Sequence, residues 1–243
     1  MIERVGRPPG RFWRRKECWV PTWRTWVIAL VVGLAGGAGV VLGIHPFLAL
    51  TRPVPSDVLV VEGWCDDEVM KAALAEFERN RYSSLLVTGG PVDMGAALNP
   101  YATFAEFGAA NLRKMADPEV PIVPVPAPRV DRDRTYSTAV ALRQWFLKQG
   151  SPPARINLVT VGPHARRSRL LFQIALGKET EVGILSIPDP KFDPDRWWTS
   201  SAGVRTVIGE FLAYAYAATL FQPSPVSAVA AMPSPPVDRP HGP

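Results

Sequence analysis

The chain has 243 residues, 47% of them hydrophobic, with a formal net charge of +5. That length suits one domain of ordinary size plus appendages, and the apolar share is enough for a buried core. The excess charge sits in residues 1–25, where seven basic residues face two acidic ones, while the remaining 20 basic and 20 acidic residues cancel; this excludes a nucleic-acid-binding domain, which carries its positive charge on its fold.

Residues 1–25 form a basic tail. Residues 26–50 carry no charge. About 20 apolar residues cross a bilayer core, so this stretch predicts a transmembrane helix. Trp19, Trp23 and Trp26 stand where an aromatic belt lies. Gly33, Gly36, Gly37 and Gly39 leave room for a second helix, although small residues are common in such spans anyway. Seven basic residues precede the span and only Arg52 follows it closely. The positive-inside rule then keeps the N-terminus in the cytoplasm and sends the rest across the inner membrane to the periplasm or outside. The long basic lead, with no small-x-small site before Thr51, favours an uncleaved signal anchor over a cleaved signal peptide. The tail also suits anionic headgroups. Cys18 and Cys65 flank the span, so neither a disulfide framework nor a cysteine metal site is expected. His45, His164 and His241 are too far apart for zinc-ligand spacing.

Residues 51–56, with Pro53 and Pro55, read as a short stiff linker. The folded domain is expected over 57–221. Asp57–Val61 has the length and character of a buried strand, and Glu62–Asp67 is its loop. Residues 68–80 repeat apolar side chains at helical spacing. Leu85–Thr88 is a second strand, closed by Gly89 and Gly90. Residues 101–116 read as helix. Val120–Val125 is a third strand, placed at an edge or irregular because of Pro121 and Pro124. Thr135–Gln149 is a helix with Thr135 as a candidate cap and Gly150 as its stop. Ile156, Leu158, Val159 and Val161 form a fourth strand, broken by Gly162 and Pro163. His164 opens a further helix ending at Gly177, and Val182–Ile187 is the last strand. Residues 203–221 are amphipathic; Arg205 and Glu210 argue against a second span, so this is a terminal helix packed on the core. Residues 222–243 hold seven prolines and predict a disordered tail. The alternation of short apolar strands with helices predicts an α/β fold whose mainly parallel sheet is covered on both faces.

Open sheets of this kind bind ligands at the carboxyl ends of their strands. Four segments converge there: Glu62-Gly63, Thr88-Gly89-Gly90, Arg134-Thr135-Tyr136, and His164 with Arg166, Arg167 and Arg169. Cations at a helix N-terminus oppose the helix dipole, so folding stability explains them poorly. A bound anion would favour them together with the free backbone N–H groups; a solvated basic face is the plainer alternative. Glycines after a strand let backbone N–H groups approach a phosphate, or simply make a tight turn. Glu62 is a candidate acceptor, base or metal ligand, or a carboxylate paired with Arg134 or Arg167. The dipole favours a neutral His164, able to donate to or accept from a ligand. Asp66 and Asp67 should raise the Cys65 pKa and leave it a poor nucleophile. Ser137 and Ser168 lack a glycine elbow. Trp197 and Trp198 either stack on a sugar or headgroup or, as we prefer, pack beneath the last helix.

Taken in order, these pieces resemble the YdcF-like family, which includes SanA and ElyC, over about residues 57–220. Asp57–Gly63 is similar to the family's opening strand and turn. Thr88-Gly89-Gly90 stands where the family has Ser-Gly-Gly, and Arg134-Thr135-Tyr136-Ser137 resembles its Thr-rich helix start. His164 and Arg167 match its His-x-x-Arg. Trp64 replaces the usual second glycine of the first loop, Lys71 is a loose substitute for an arginine, and Tyr101-Ala102 replaces a Glu-Ala pair. The resemblance implies a Rossmann-like fold with a polar pocket at the strand ends and a part in bacterial envelope biogenesis, involving peptidoglycan, surface polysaccharide or their polyprenyl-phosphate carrier.

The expectation is therefore a membrane-anchored domain that binds a phosphorylated or lipid-linked envelope intermediate, with its hydrolysis or transfer left open. Glu62 and His164 are the candidate catalytic residues. Gly63, Thr88, Gly89, Gly90, Arg134, Thr135, Arg166 and Arg167 are the candidate ligand contacts, with no metal site and no identified cofactor. The expected partners are the bilayer and the ligand, not nucleic acid. The rivals are a non-catalytic regulator contacting an envelope protein, and a nucleotide or S-adenosylmethionine binder.

Overall fold

The structure is a computed structural model describing residues 21–92, 100–150 and 152–223. Most of the basic tail, with Cys18 and Trp19, and the Pro-rich tail from residue 224 lie outside the described residues. The chain divides into two compact units, Met1–Val40 and Val41–Pro243.

Helix α1, Trp23–Leu48, runs through 26 residues with a mean hydropathy of 2.5 over its most apolar window. At about 1.5 Å per residue it exceeds the ~30 Å bilayer core. It is long and apolar enough to cross a membrane, and it starts and ends within a few residues of the predicted span.

In the second unit, five strands form one sheet: β1 Val58–Glu62, β2 Ser84–Gly89, β3 Ile122–Pro126, β4 Arg155–Val161 and β5 Glu181–Ile187. Their order is β3-β2-β1-β4-β5, and every neighbouring pair is parallel. The fold is thus α/β with a Rossmann-like sheet. β1 and β2 carry unbroken aliphatic runs, Val58–Val61 and Leu85–Val87, because both faces are buried, while β4 interrupts its run with the buried Asn157 and Thr160. β3 carries Pro124 and Pro126 and lies at an edge, where a missing N–H costs no ladder bond.

Helices α2 (Asp67–Asn80) and α3 (Phe104–Met115) cover one face, packing on Leu59, Val61, Leu85 and Val87. Helices α4 (Arg134–Lys148) and α5 (Ala165–Leu176) cover the other, packing on Val60, Leu86, Leu158 and Ile184. Thr103 caps α3 in a reciprocal box with Glu106. Thr135 does not cap α4: the cap position is Asp133, in a left-handed conformation at φ 57°, and Thr135 lies inside the first turn. The terminal helix α6, Ser201–Thr219, is capped by Ser200. Its Val207 joins Ile44, Leu48, Phe192 and Trp197 in a third buried cluster.

Two close approaches shape the sheet's carboxyl edge. A Cβ on Gly63 would collide with the Phe104 carbonyl, and one on Gly108 would meet the Gly63 backbone. Residues 51–56 are not a free-standing linker. Arg52 exchanges backbone hydrogen bonds with Ile184 at 2.7 and 3.0 Å. The buried Asn157 side chain accepts from Val54 N at 2.9 Å and donates to Val54 O at 2.7 Å. Ser56 Oγ donates to the Arg155 carbonyl at 2.8 Å.

Candidate functional site

Sheet order reverses between β1 and β4, and the crevice at their carboxyl ends is where ligands bind in open α/β sheets. A cavity of about 480 Å³ opens there. Its wall includes Glu62 and Trp64 after β1, Thr88, Gly89 and Gly90 after β2, Arg129 after β3, Arg134, Thr135 and Thr138 from α4, and His164 and Arg167 from the β4–α5 junction.

The chemistry centres on four charged groups in a chain. Glu62 closes β1 and is 2% exposed. Its Oε2 accepts from Ser168 Oγ at 3.1 Å and from Thr160 Oγ1. His164 Nε2 lies 3.6 Å from the same oxygen. On the other side of the ring, Nδ1 is 2.8 Å from Glu210 Oε1, the geometry of an Nδ1–H donating to a carboxylate. Glu210 also takes a bidentate pair from Arg167, with Nε to Oε2 at 2.8 Å and Nη2 to Oε1 at 3.0 Å. Arg167 Nη1 donates to Thr135 Oγ1 at 3.3 Å. Each buried charge has an opposite neighbour, although the two cations also meet, Arg167 Nη2 lying 2.9 Å from His164 Nδ1.

This setting overturns the expectation of a neutral His164. Burial pulls its pKa down, but the Glu62 charge and the hydrogen bond to Glu210 outweigh that and push it up to about 9. Two carboxylates within 4 Å overcome the helix dipole, which acts with partial charges only. Burial raises the Glu210 carboxyl, but hydrogen bonds from His164 and Arg167 bring it down to about 2. Glu62 likewise ends below its ordinary value: burial works against it, and His164 with the two hydroxyls wins. His164 is thus an imidazolium at neutral pH. Its Nε2 is buried, makes no hydrogen bond among the described residues and has Glu62 Oε2 as its charged neighbour at 3.6 Å, while the residue itself lines the cavity. Trp64 packs edge-on against the ring at 5.0 Å.

Of the predicted residues, Glu62, Thr88, Gly89, Gly90, Arg134, Thr135, His164 and Arg167 all line the cavity. Gly63 and Arg166 do not. Gly63 faces α3, where its missing side chain permits helix contact. Arg166 points the other way around α5: its guanidinium lies 3.9 Å from the Phe47 ring centroid and donates to the Phe47 carbonyl. Arg169 is spent on the Val182 carbonyl at 2.8 Å. Of that basic cluster, only His164 and Arg167 line the cavity. Thr88 Oγ1 donates to the Val61 carbonyl at 3.4 Å, which ties β2 to β1. Glu62 pairs with His164, Thr160 and Ser168 rather than with Arg134 or Arg167.

Cys65 is buried, and its thiol is raised well above the ordinary range, by burial first and the Glu62 charge second rather than by Asp66 and Asp67 as a pair. Trp197 is buried beneath α6, as preferred, while Trp198 is 40% exposed. Among the described residues, no group of three or more His, Cys, Asp or Glu is placed to hold a metal ion.

Glu210, Thr160, Ser168, Trp64 and Arg129 were not singled out as site residues from the sequence. Glu210 did leave a trace, as the sole acid in an otherwise apolar terminal helix. Ser168 is four residues after His164, on the same helix face.

No family model, curated protein or solved structure gives a significant match to this chain.

Proposed function

We propose that this chain is a membrane-anchored, YdcF-like pocket protein that binds a phosphorylated envelope intermediate and protonates it through His164. Arg129 and Arg134 line the same cavity as His164 and Arg167; among the described lining residues Glu62 is the carboxylate, with Glu210 behind the wall paired to His164 and Arg167. Such a wall suits an anion, and the cavity volume is that of a small-molecule site. The observation that carries the reading is the His164 imidazolium at the wall of that cavity: its Nε2 makes no hydrogen bond among the described residues and faces Glu62 Oε2 at 3.6 Å.

Glu210 fixes the ring through Nδ1 and keeps it charged, so the Nε2 proton, held only by the 3.6 Å pairing with Glu62, is the one a ligand can take up. A phosphate oxygen placed there accepts a charge-assisted hydrogen bond. If that oxygen bridges to a leaving group, a water or an acceptor hydroxyl forms the new bond to phosphorus as the bridging P–O bond breaks, and His164 as general acid passes the Nε2 proton to the departing oxygen. Glu62 supports this by stabilising the imidazolium. Its Oε2 already accepts two hydroxyl protons, so a nucleophilic role is the weaker assignment. The charge asymmetry of the sequence keeps the basic tail in the cytoplasm and the cavity outside. The class of ligand, an envelope precursor on a polyprenyl phosphate or a related sugar phosphate, rests on the family resemblance. A protein-partner role through Trp197 and Trp198 is disfavoured because Trp197 is already covered.

Calorimetry of the full chain in micelles, titrated with inorganic pyrophosphate, tests the binding. Saturable binding is expected, weakened tenfold or so in Arg134→Ala, the loss of about one charge-assisted contact, and unchanged in Arg166→Ala. Absence of binding, or equal loss in both variants, would refute it.

A further inference from the structure

Away from the cavity, the outer side of α6 is apolar and open. Val204, Ile208, Phe211 and Leu212 recur at i, i+4, i+7 and i+8, and are 39, 40, 40 and 62% exposed. Such a stripe is what a helix normally buries. The neighbouring stripe, Val207 and Tyr214, packs on the last turns of α1. Val207 sits in the cluster with Ile44 and Leu48, and the Tyr214 ring meets Phe47 edge to face at 5.6 Å. The open face therefore begins beside the residues by which α6 touches the candidate span. The turn at Pro194–Thr199 is bound to the same helix: Trp197 Nε1 donates to the Val41 carbonyl at 3.0 Å. Val41 lies seven residues before the end of α1, about 10 Å along its axis. Trp198 crosses Trp197 edge-on at 5.9 Å and stays partly exposed. At this level α1 leaves Val41, Leu42 and Phe47 open as well. No charged residue occurs between Arg24 and Arg52, so the end of the bilayer's apolar layer falls among these groups.

We propose that the outer face of α6 and Trp198 lie in the membrane–water interface beside α1, in the leaflet that α1 leaves at its C-terminal end. The proposal rests on α1 crossing the membrane. A bilayer is the occupant because the open face adjoins Val41–Leu48, the last turns of the helix that would cross it. Trp198 is the residue type that settles at headgroup level. Arg205, the one outward charge on α6, has an apolar stem that can lie along the face while its guanidinium reaches a lipid phosphate. The helix that braces His164 through Glu210 is then also the one that rests on lipid.

The test uses the full wild-type chain in nanodiscs containing a lipid with a diazirine in its acyl chain. After irradiation, labelled peptides are mapped by mass spectrometry. Label is expected on α1, on the peptide with Trp198 and on the peptide with Phe211 and Leu212. None is expected on the peptide with Leu147, which is 52% exposed on α4. In the double variant Ile208→Glu and Leu212→Glu, label on α6 should fall several-fold while that on α1 stays, with an unchanged circular dichroism spectrum. Label on α1 but none on α6 overturns the proposal; cross-linked dimers in that case would show a second copy covering the face. An unlabelled α1 overturns the span itself, and the proposal with it, without touching the pyrophosphate result.

Discussion

The His164 imidazolium is held from both sides, and its two contacts make separable predictions. Its ring should titrate near pH 9 by NMR of selectively labelled histidine, well above the ordinary 6.5. Replacing Glu210 with Gln removes the hydrogen-bonded carboxylate and should move the midpoint down by a unit or more, about 1.4 kcal/mol per unit. An unmoved midpoint would show that Glu62 alone sets the charge. Glu62→Gln should lower it as well, and should leave Thr160 and Ser168 without their ionised acceptor. At this scale the sequence was half legible. A histidine followed by arginines at the start of a helix is a local pattern, and it pointed to the strand end where the cavity opens. It did not say which arginine matters. Adjacent positions on a helix project about 100° apart, so Arg166 and Arg167 diverge, one towards Phe47 and one towards Glu210. The i,i+3,i+4 rule would have selected His164, Arg167 and Ser168 as one face. Glu210 is 46 positions from His164, and no local pattern reports a contact of that separation.

Strands and helices were more legible, because each repeats its signal over several residues. All five strands sit where apolar runs ended in turn residues, and Pro124 marked β3 as an edge. The close packing of α3 on the β1 loop was not legible, because a glycine that makes a turn looks the same as one that admits a helix. Gly108 stands almost against the Gly63 backbone. Gly108→Ala should therefore cost about 1–3 kcal/mol, as overpacking does, measured as a shift in the urea midpoint. Gly90→Ala, where an added Cβ meets nothing, should leave that midpoint within about 0.5 kcal/mol. Equal effects would mean that the two loops tolerate bulk alike.

For the molecule as a whole, the four-charge chain sets a pH window. The His164 pKa is raised on folding, so its contribution is complete below pH 6.5 and is lost as pH rises through about 9. The Glu210 pKa is depressed, so its contribution is complete above pH 4.5 and is lost as pH falls through about 2. The melting temperature of the full chain in micelles should peak between these limits, and Glu210→Gln should flatten both shoulders. A profile unchanged by that variant would mean the chain of charges adds nothing net to folding. The long uncharged run made a helix able to cross a membrane readable from composition, since such a helix needs length and apolarity more than any particular residue.

The stitching of residues 51–56 to β4 and β5 has a mechanical corollary. Asn157, Arg52 and Ser56 hold residues 51–56 along β4 and β5, so the chain enters the sheet with almost no slack. Its path there is set by hydrogen bonds rather than by chain entropy. Lengthening the segment after Ser56 with a few glycines would loosen those stitches and turn a brace into a leash.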